Sequence, residues 1–179
     1  MRCVLEGAMP VDPRAERVVA LPAGLALASD DEQVVPSASV TLGSSRATLY
    51  LRFEPVWESR PVQAAFLLLD PAEHSVGGPD VELEVWRARR EWSGAAFSFR
   101  QQPGVTAPLA RGIARSIPPL PVRVDVTELV QFAAQHPRQD HGFAVRSRSD
   151  GPLVTIATGS DGGRAPTLDV YLGSSSEAR

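Results

Sequence analysis

The chain has 179 residues, 43% hydrophobic and 22% charged, with a net charge of −3. That is the length and balance of one globular domain rather than a disordered chain. Without a basic excess, nucleic acid and anionic membranes are poor partners. With the single cysteine, Cys3, no internal disulfide is available.

All 18 basic residues are arginine. This fits either a GC-rich coding bias or selection for planar, bidentate contacts to carboxylates and sulfates.

Residues 1–16 read as an irregular arm, because Pro10, Asp12 and Pro13 break any regular pattern. The stretch Met1–Gly7 lacks the apolar region of a standard signal peptide. No lipobox precedes Cys3, which is expected to be an ordinary thiol. No run reaches the length of a transmembrane helix.

From there, short apolar or alternating runs follow one another. Strands are predicted at Arg17–Leu21, Leu25–Ala28, Ser39–Leu42, Ala47–Phe53, Val62–Leu69, Val81–Ala88 and Ala96–Phe99. Four more are predicted at Val122–Val126, Gly142–Arg146, Leu153–Ala157 and Thr167–Leu172. Turn residues separate them, as at Pro22-Ala23-Gly24 and Gly77-Gly78-Pro79. Leu49, Leu51 and Phe53 alternate with Thr48, Tyr50 and Arg52. Val81, Leu83 and Val85 alternate with Glu82, Glu84 and Trp86. Half-buried strands of this kind suit two packed antiparallel sheets.

Val126, Leu129, Val130 and Ala133 recur at helical spacing, so one short helix is expected over about Thr127–Gln135. Pro103, Pro108, Pro118, Pro119 and Pro121 mark residues 103–121 as a long extended connection with little ladder pairing. Residues 17–173 are thus the expected sandwich domain, and 174–179 a disordered tail.

Several segments, in order, resemble one family. Ala47–Glu54 resembles an "aliphatic–Arg–Phe–acidic" strand, and Val62–Leu69 an "A-x-L-x-L" strand. Leu83-Glu84-Val85-Trp86-Arg87-Ala88 is similar to "V-x-V-Y-R-V". Glu91-Trp92-Ser93 with Phe97–Pro103 resembles "W-x-E…T-W-x-x-x-P". Asp125–Val130 matches "D-V-T-x-L-V", Gly142–Ser147 matches "G-F-x-L-R-S", and Ala165–Tyr171 resembles "P-x-L-x-V-x-Y".

This ordered series, over about residues 17–172, resembles the DNRLRE or disaggregatase-related domain, grouped with carbohydrate-binding modules. It departs from the family at Ser98-Phe99 in place of Thr-Trp, at Gly94 in place of an acid, and in its reduced N-terminal acidic stretch. The resemblance implies an all-β, jelly-roll-like antiparallel sandwich with one short helix, usually extracellular or at the cell surface. Some members of the family are thought to bind polysaccharide. The missing signal peptide leaves a cytoplasmic origin open.

No nucleophile elbow, phosphate loop or zinc-protease spacing occurs. His74, His136 and His141 lack zinc-ligand spacing. A glycosidase needs two acids a few ångströms apart across a cleft; Glu82 and Glu84 share a strand face and could form such a pair, but exposed acids are commoner on a solvated face. Asp30, Asp31 and Asp161 could hold a structural calcium ion, or simply form polar turns; no other cofactor is expected. Arg146 and Arg148 share a face and suit exposed ion pairs.

Trp86 is the best stacking platform for a pyranose, with Tyr50 and Arg52 beside it and Arg87 at the margin. Its alternative is packing at the sandwich rim. The leading expectation is therefore a non-catalytic module that binds polysaccharide or another surface polymer at Tyr50, Arg52, Trp86 and Arg87. The alternative is a structural or adhesion subunit of a coat, matrix or particle, making protein contacts or self-assembling.

Overall fold

A computed structural model describes residues 11–29, 38–43, 47–57, 60–72, 79–93, 96–98, 100–115, 120–148, 153–159 and 164–174. Its strands are β1 (Glu16–Ala20), β2 (Pro22–Ser29), β3 (Ser39–Leu42), β4 (Thr48–Phe53), β5 (Val62–Leu69) and β6 (Val81–Ala88). They continue with β7 (Ala96–Ser98), β8 (Val105–Ala114), β9 (Val122–Asp125), β10 (Phe143–Ser147), β11 (Val154–Ala157) and β12 (Thr167–Leu172). One α-helix, α1 (Thr127–Gln135), and a 3-10 turn (Pro137–Gln139) lie between β9 and β10.

The architecture is an all-β sandwich. One sheet has the order β1-β12-β5-β9 and the other β7-β2-β4-β10-β6-β8. A ribbon of β11 and β3 extends the four-stranded sheet past the end of β5. There Ala157 N donates to Asp70 O at 2.8 Å, and Ala72 N donates to Thr155 O at 2.9 Å. The chain passes repeatedly between sheets, as in β4 to β5 to β6 and β8 to β9 to β10, which gives the jelly-roll-like winding. Every pairing is antiparallel except β7 with β2, which is parallel.

Alternation decides what lies between the layers. Leu49, Leu51 and Phe53 of β4 meet Leu67, Leu69, Val85, Phe143, Leu168 and Val170 in one core. Phe53 and Phe143 pack with ring centroids 5.9 Å apart. The core extends under α1 through Val126, Leu129, Val130 and Ala133, the residues expected from their helical spacing.

The helix also completes a sheet edge. β9 covers only the second half of β5, and side chains serve the first half. Thr127 Oγ1 accepts from Ala65 N at 3.0 Å, and Gln131 Nε2 donates to Val62 O at 3.0 Å. Val126 N donates to Ala65 O at 2.9 Å. Buried backbone groups that lost these partners would be destabilising.

One expectation is corrected. Residues 105–114 are not an unpaired connection. They form the ten-residue edge strand β8, laddered along β6 from Val81↔Ala114 to Ala88↔Val105. The prolines and glycine misled because each sits where the strand tolerates it. Pro108 follows a cis bond and lies where the register shifts opposite Trp86 and Arg87, on an edge strand. Gly112 packs against β9, where an added Cβ would stand 2.5 Å from Val124 Cγ2. β1 begins at Glu16, and of the arm expected over residues 1–16, residues 1–10 lie outside the described residues, as does the tail at 175–179.

Two glycines give a test of this packing. Gly142 has φ +84°, and a Cβ there would sit 2.3 Å from Leu51 O. Gly142→Ala is expected to cost roughly 2 kcal/mol or more from the left-handed backbone and the clash. Gly112→Ala is expected to cost about 1–3 kcal/mol by overpacking. Both are read as lower midpoints in urea unfolding with unchanged slope.

Candidate binding face

The outer face of the six-stranded sheet carries most of the residues singled out in the sequence, but the structure divides them. Cross-strand register sets a row Ala26–Tyr50–Ala144–Trp86–Leu109 running over β2, β4, β10, β6 and β8. Alanines at two positions make a shallow floor between the large side chains.

The connection from β6 to β8 passes over this face to set β7 against β2, and it roofs one half. Trp92 packs on Tyr50 with centroids 6.0 Å apart, and its Nε1 donates to His141 O at 2.7 Å. Tyr50 Oη donates to Gln102 Oε1 at 3.2 Å. Arg90 ties the two passes together through Pro103 O and Gln102 O.

Tyr50 is therefore fully buried, in a second core with Ala26, Ala28, Ala88, Trp92 and Ala144. Burial pushes its phenol up to about 12, against a smaller opposing effect from a Gly104 backbone hydrogen bond and nearby Arg146 and Arg90. A side chain so enclosed offers no stacking surface, which corrects its expected role. Arg52 lies over the Trp92 ring at 5.2 Å and donates to Trp92 O at 3.5 Å, so it belongs to the edge of the roof.

Arg87 is elsewhere. Strand alternation turns it to the opposite face from Trp86, at the sandwich end. It lies 3.4 Å over the Phe132 ring of α1 and donates to Ala107 O at 3.0 Å and Gln139 O at 3.4 Å. Its job there is to fasten the helix and the 3-10 turn to β8, not to face a ligand beside Trp86. Burial lowers its pKa, with Asp140 opposing. Asp140 in turn is pushed up by burial, although the Gly142 amide donates to its Oδ1 at 3.1 Å.

The open half is built on Trp86. Glu84 stands between Arg146 on β10 and Arg111 on β8, one cross-strand row from Trp86. Glu84 Oε2 accepts from Trp86 Nε1 at 3.1 Å and from Arg146 Nε and Nη2 at 3.4 Å. Arg146 also lies over the Trp86 ring at 5.1 Å. In the next row Arg148 grips Glu82 through both oxygens, at 3.0 and 2.9 Å. Arg111 sits between the two acids, 3.6 Å from Glu82 and 4.0 Å from Glu84.

Three guanidiniums against two carboxylates leave this half positive by one. Each acid is engaged by arginine, so neither stands free as a glycosidase pair would across a cleft. The sequence's alternation put Glu84 on the same strand face as Trp86, but Arg111 was not grouped with them. The signal for Arg111 was the alternation Leu109, Arg111, Ile113, hidden by the surrounding prolines.

Asp30, Asp31 and Asp161, the expected calcium ligands, lie outside the described residues. Among the described residues no group of three His, Cys, Asp or Glu side chains is placed to hold a metal ion. No helix among them is long and apolar enough to cross a membrane. The chain matches no model of a known protein family, and comparison with curated proteins gives no match.

The roof gives two tests. Trp92→Ala removes the cover from Tyr50, so its pKa should fall from about 12 toward the ordinary 10, read from phenolate absorbance in an alkaline titration. The same change should cost about 3–5 kcal/mol as a large-to-small core substitution. Because the folded value is raised, the Tyr50 contribution to stability is intact below pH 10 and lost as pH climbs through about 12.

Asp140 has the same sign in the acid range. Its folded pKa is raised from 3.8, so its contribution is full below that value and lost as pH rises through the folded pKa. Wild type should therefore weaken relative to Asp140→Asn between acid and neutral pH, checked by urea melts at both ends.

Proposed function

We propose that the chain is a non-catalytic binding module, acting at a cell surface or outside the cell, whose ligand is a polysaccharide or other surface polymer. The observation that carries this reading is the open half of the six-stranded sheet. There a half-buried indole shares a face with Arg146 and Arg111, which strand pairing holds in register, and with Arg148, which Glu82 holds just past β10. An indole supplies a flat apolar surface for the C–H face of a sugar ring. Guanidiniums supply planar donors for hydroxyl, carboxylate or sulfate groups. The ion pairs with Glu82 and Glu84 hold the arginine heads in place before a ligand arrives, so less ordering entropy opposes binding. The resemblance to the DNRLRE domain agrees with this reading.

The excess of one positive charge points to polymers that bear acidic groups. Binding on a glycan array that includes uronic-acid and sulfated polymers is the test. Trp86→Ala should weaken it about tenfold or more, with the circular dichroism spectrum unchanged. Arg111→Gln should weaken acidic ligands and reduce the salt dependence of binding. Absence of any polymer signal from the folded protein would refute the reading.

Exposed Val19, Leu21 and Ile113 favour a second reading, a structural or adhesion subunit that docks on protein. Specific self-association by light scattering, with no polymer signal, would support it.

A further inference from the structure

We infer that the outer face of the four-stranded sheet carries a second ligand site, a cleft of about 400 Å³ suited to one neutral sugar ring. It rests on the polymer-binding reading only for the choice of sugar as the ligand class.

The site is built around Asp169. Register places it mid-sheet, between Val19 of β1 and Phe66 of β5. The residue is 5% exposed. Arg17 donates to Oδ2 through Nε at 3.0 Å and Nη2 at 2.7 Å. Oδ1 is sealed from solvent and accepts no hydrogen bond. A buried acceptor without a donor is destabilising and rare, and a water, an ion or a ligand that donates to it would relieve that cost.

Asp169 lines the cleft with Leu68, Pro121, Asp70 and Arg164, and with Val19 and Leu21, which are 50% and 66% exposed. Arg17, at its mouth, is 54% exposed along its side chain and holds Oδ2, so a ligand that takes up the carboxylate has to displace part of that pairing.

The lining selects the ligand chemistry. Two carboxylates, Asp169 and Asp70, face two guanidiniums, Arg17 and Arg164, so the charges cancel. The cleft has no net attraction for an ion. A neutral ring with hydroxyls brings donors for the carboxylates, acceptors for the guanidiniums, and a C–H face for Val19, Leu21 and Leu68. A single water would also satisfy Oδ1, but its share of volume is about 30 Å³, and it would leave the apolar walls wet. The cleft falls instead in the size range of small-ligand sites.

The contrast with the other sheet is the point of interest. One outer face is positive by one charge and carries an indole. The cleft on the other is neutral with aliphatic walls, and the Phe66–Tyr171 pair and Arg123 lie outside it on the same face. A domain with both grips two chains at once, one on each side.

The test is amide chemical-shift titration of the intact protein with D-glucose, D-galactose and D-mannose in turn. At least one should give saturable shifts at Val19, Leu21 and Thr167. Asp169→Asn should weaken that binding about tenfold. Leu21→Glu should also abolish it; this residue is exposed and lies between β1 and β2, so the fold tolerates it. No saturable shift in β1 and β12 with any of the three sugars overturns the site, as does Asp169→Asn binding like wild type. Polymer binding confined to Trp86 and its neighbours removes this site and leaves the first reading standing. Shifts confined to β1 and β12, with no polymer signal from the Trp86 face, do the reverse.

Discussion

Burial of β4 on both faces is the constraint from which the rest of the arrangement follows. One side supplies Leu49, Leu51 and Phe53 to the core between the sheets. The other side would be wet in a simple sandwich, but Tyr50 lies there beneath Trp92. To bring Trp92 to that position, the link between β6 and β8 has to cross most of a six-stranded sheet. β7 anchors its far end against β2, and Arg90 ties its two passes together. The roof therefore divides one sheet face into a closed half that adds stability and an open half that can meet a partner.

The open half and the cleft on the other sheet both use carboxylates and guanidiniums, but to different ends. Around Trp86 every acid has an arginine, and the cations are in excess. Around Asp169 the charges balance, and one buried oxygen is left without a donor. A fully paired network orders its members before binding, whereas an unpaired buried acceptor still needs a donor, from water or from a ligand.

Much of the fold was legible because period and burial agree. α1 was bounded correctly at Thr127 and Gln135, since Val126, Leu129, Val130 and Ala133 leave one face apolar and Pro137 stops it. Strands such as β5, β6 and β12 were found from their runs and alternation. β8 was missed because its sequence contains Pro108 and Gly112, whose tolerance depends on being an edge strand and on crossing β9. No local pattern states either fact. The site was legible only in part for a related reason. Alternation put Tyr50 on the outer face, as observed, but burial there is decided by Trp92, forty-two positions later in the sequence. Arg87 obeyed its strand and faced the helix, where Phe132 receives it.

The treatment of the β5 edge has a consequence for association. Thr127 and Gln131 occupy backbone groups that an incoming strand would need. A neighbouring molecule cannot template itself along that border, because its peptide groups would compete with side chains already tethered to a packed helix. Growth of the four-stranded sheet along the first half of β5 is thus blocked. At the other border β1 carries Glu16 and Arg17, charges that discourage strand addition there too.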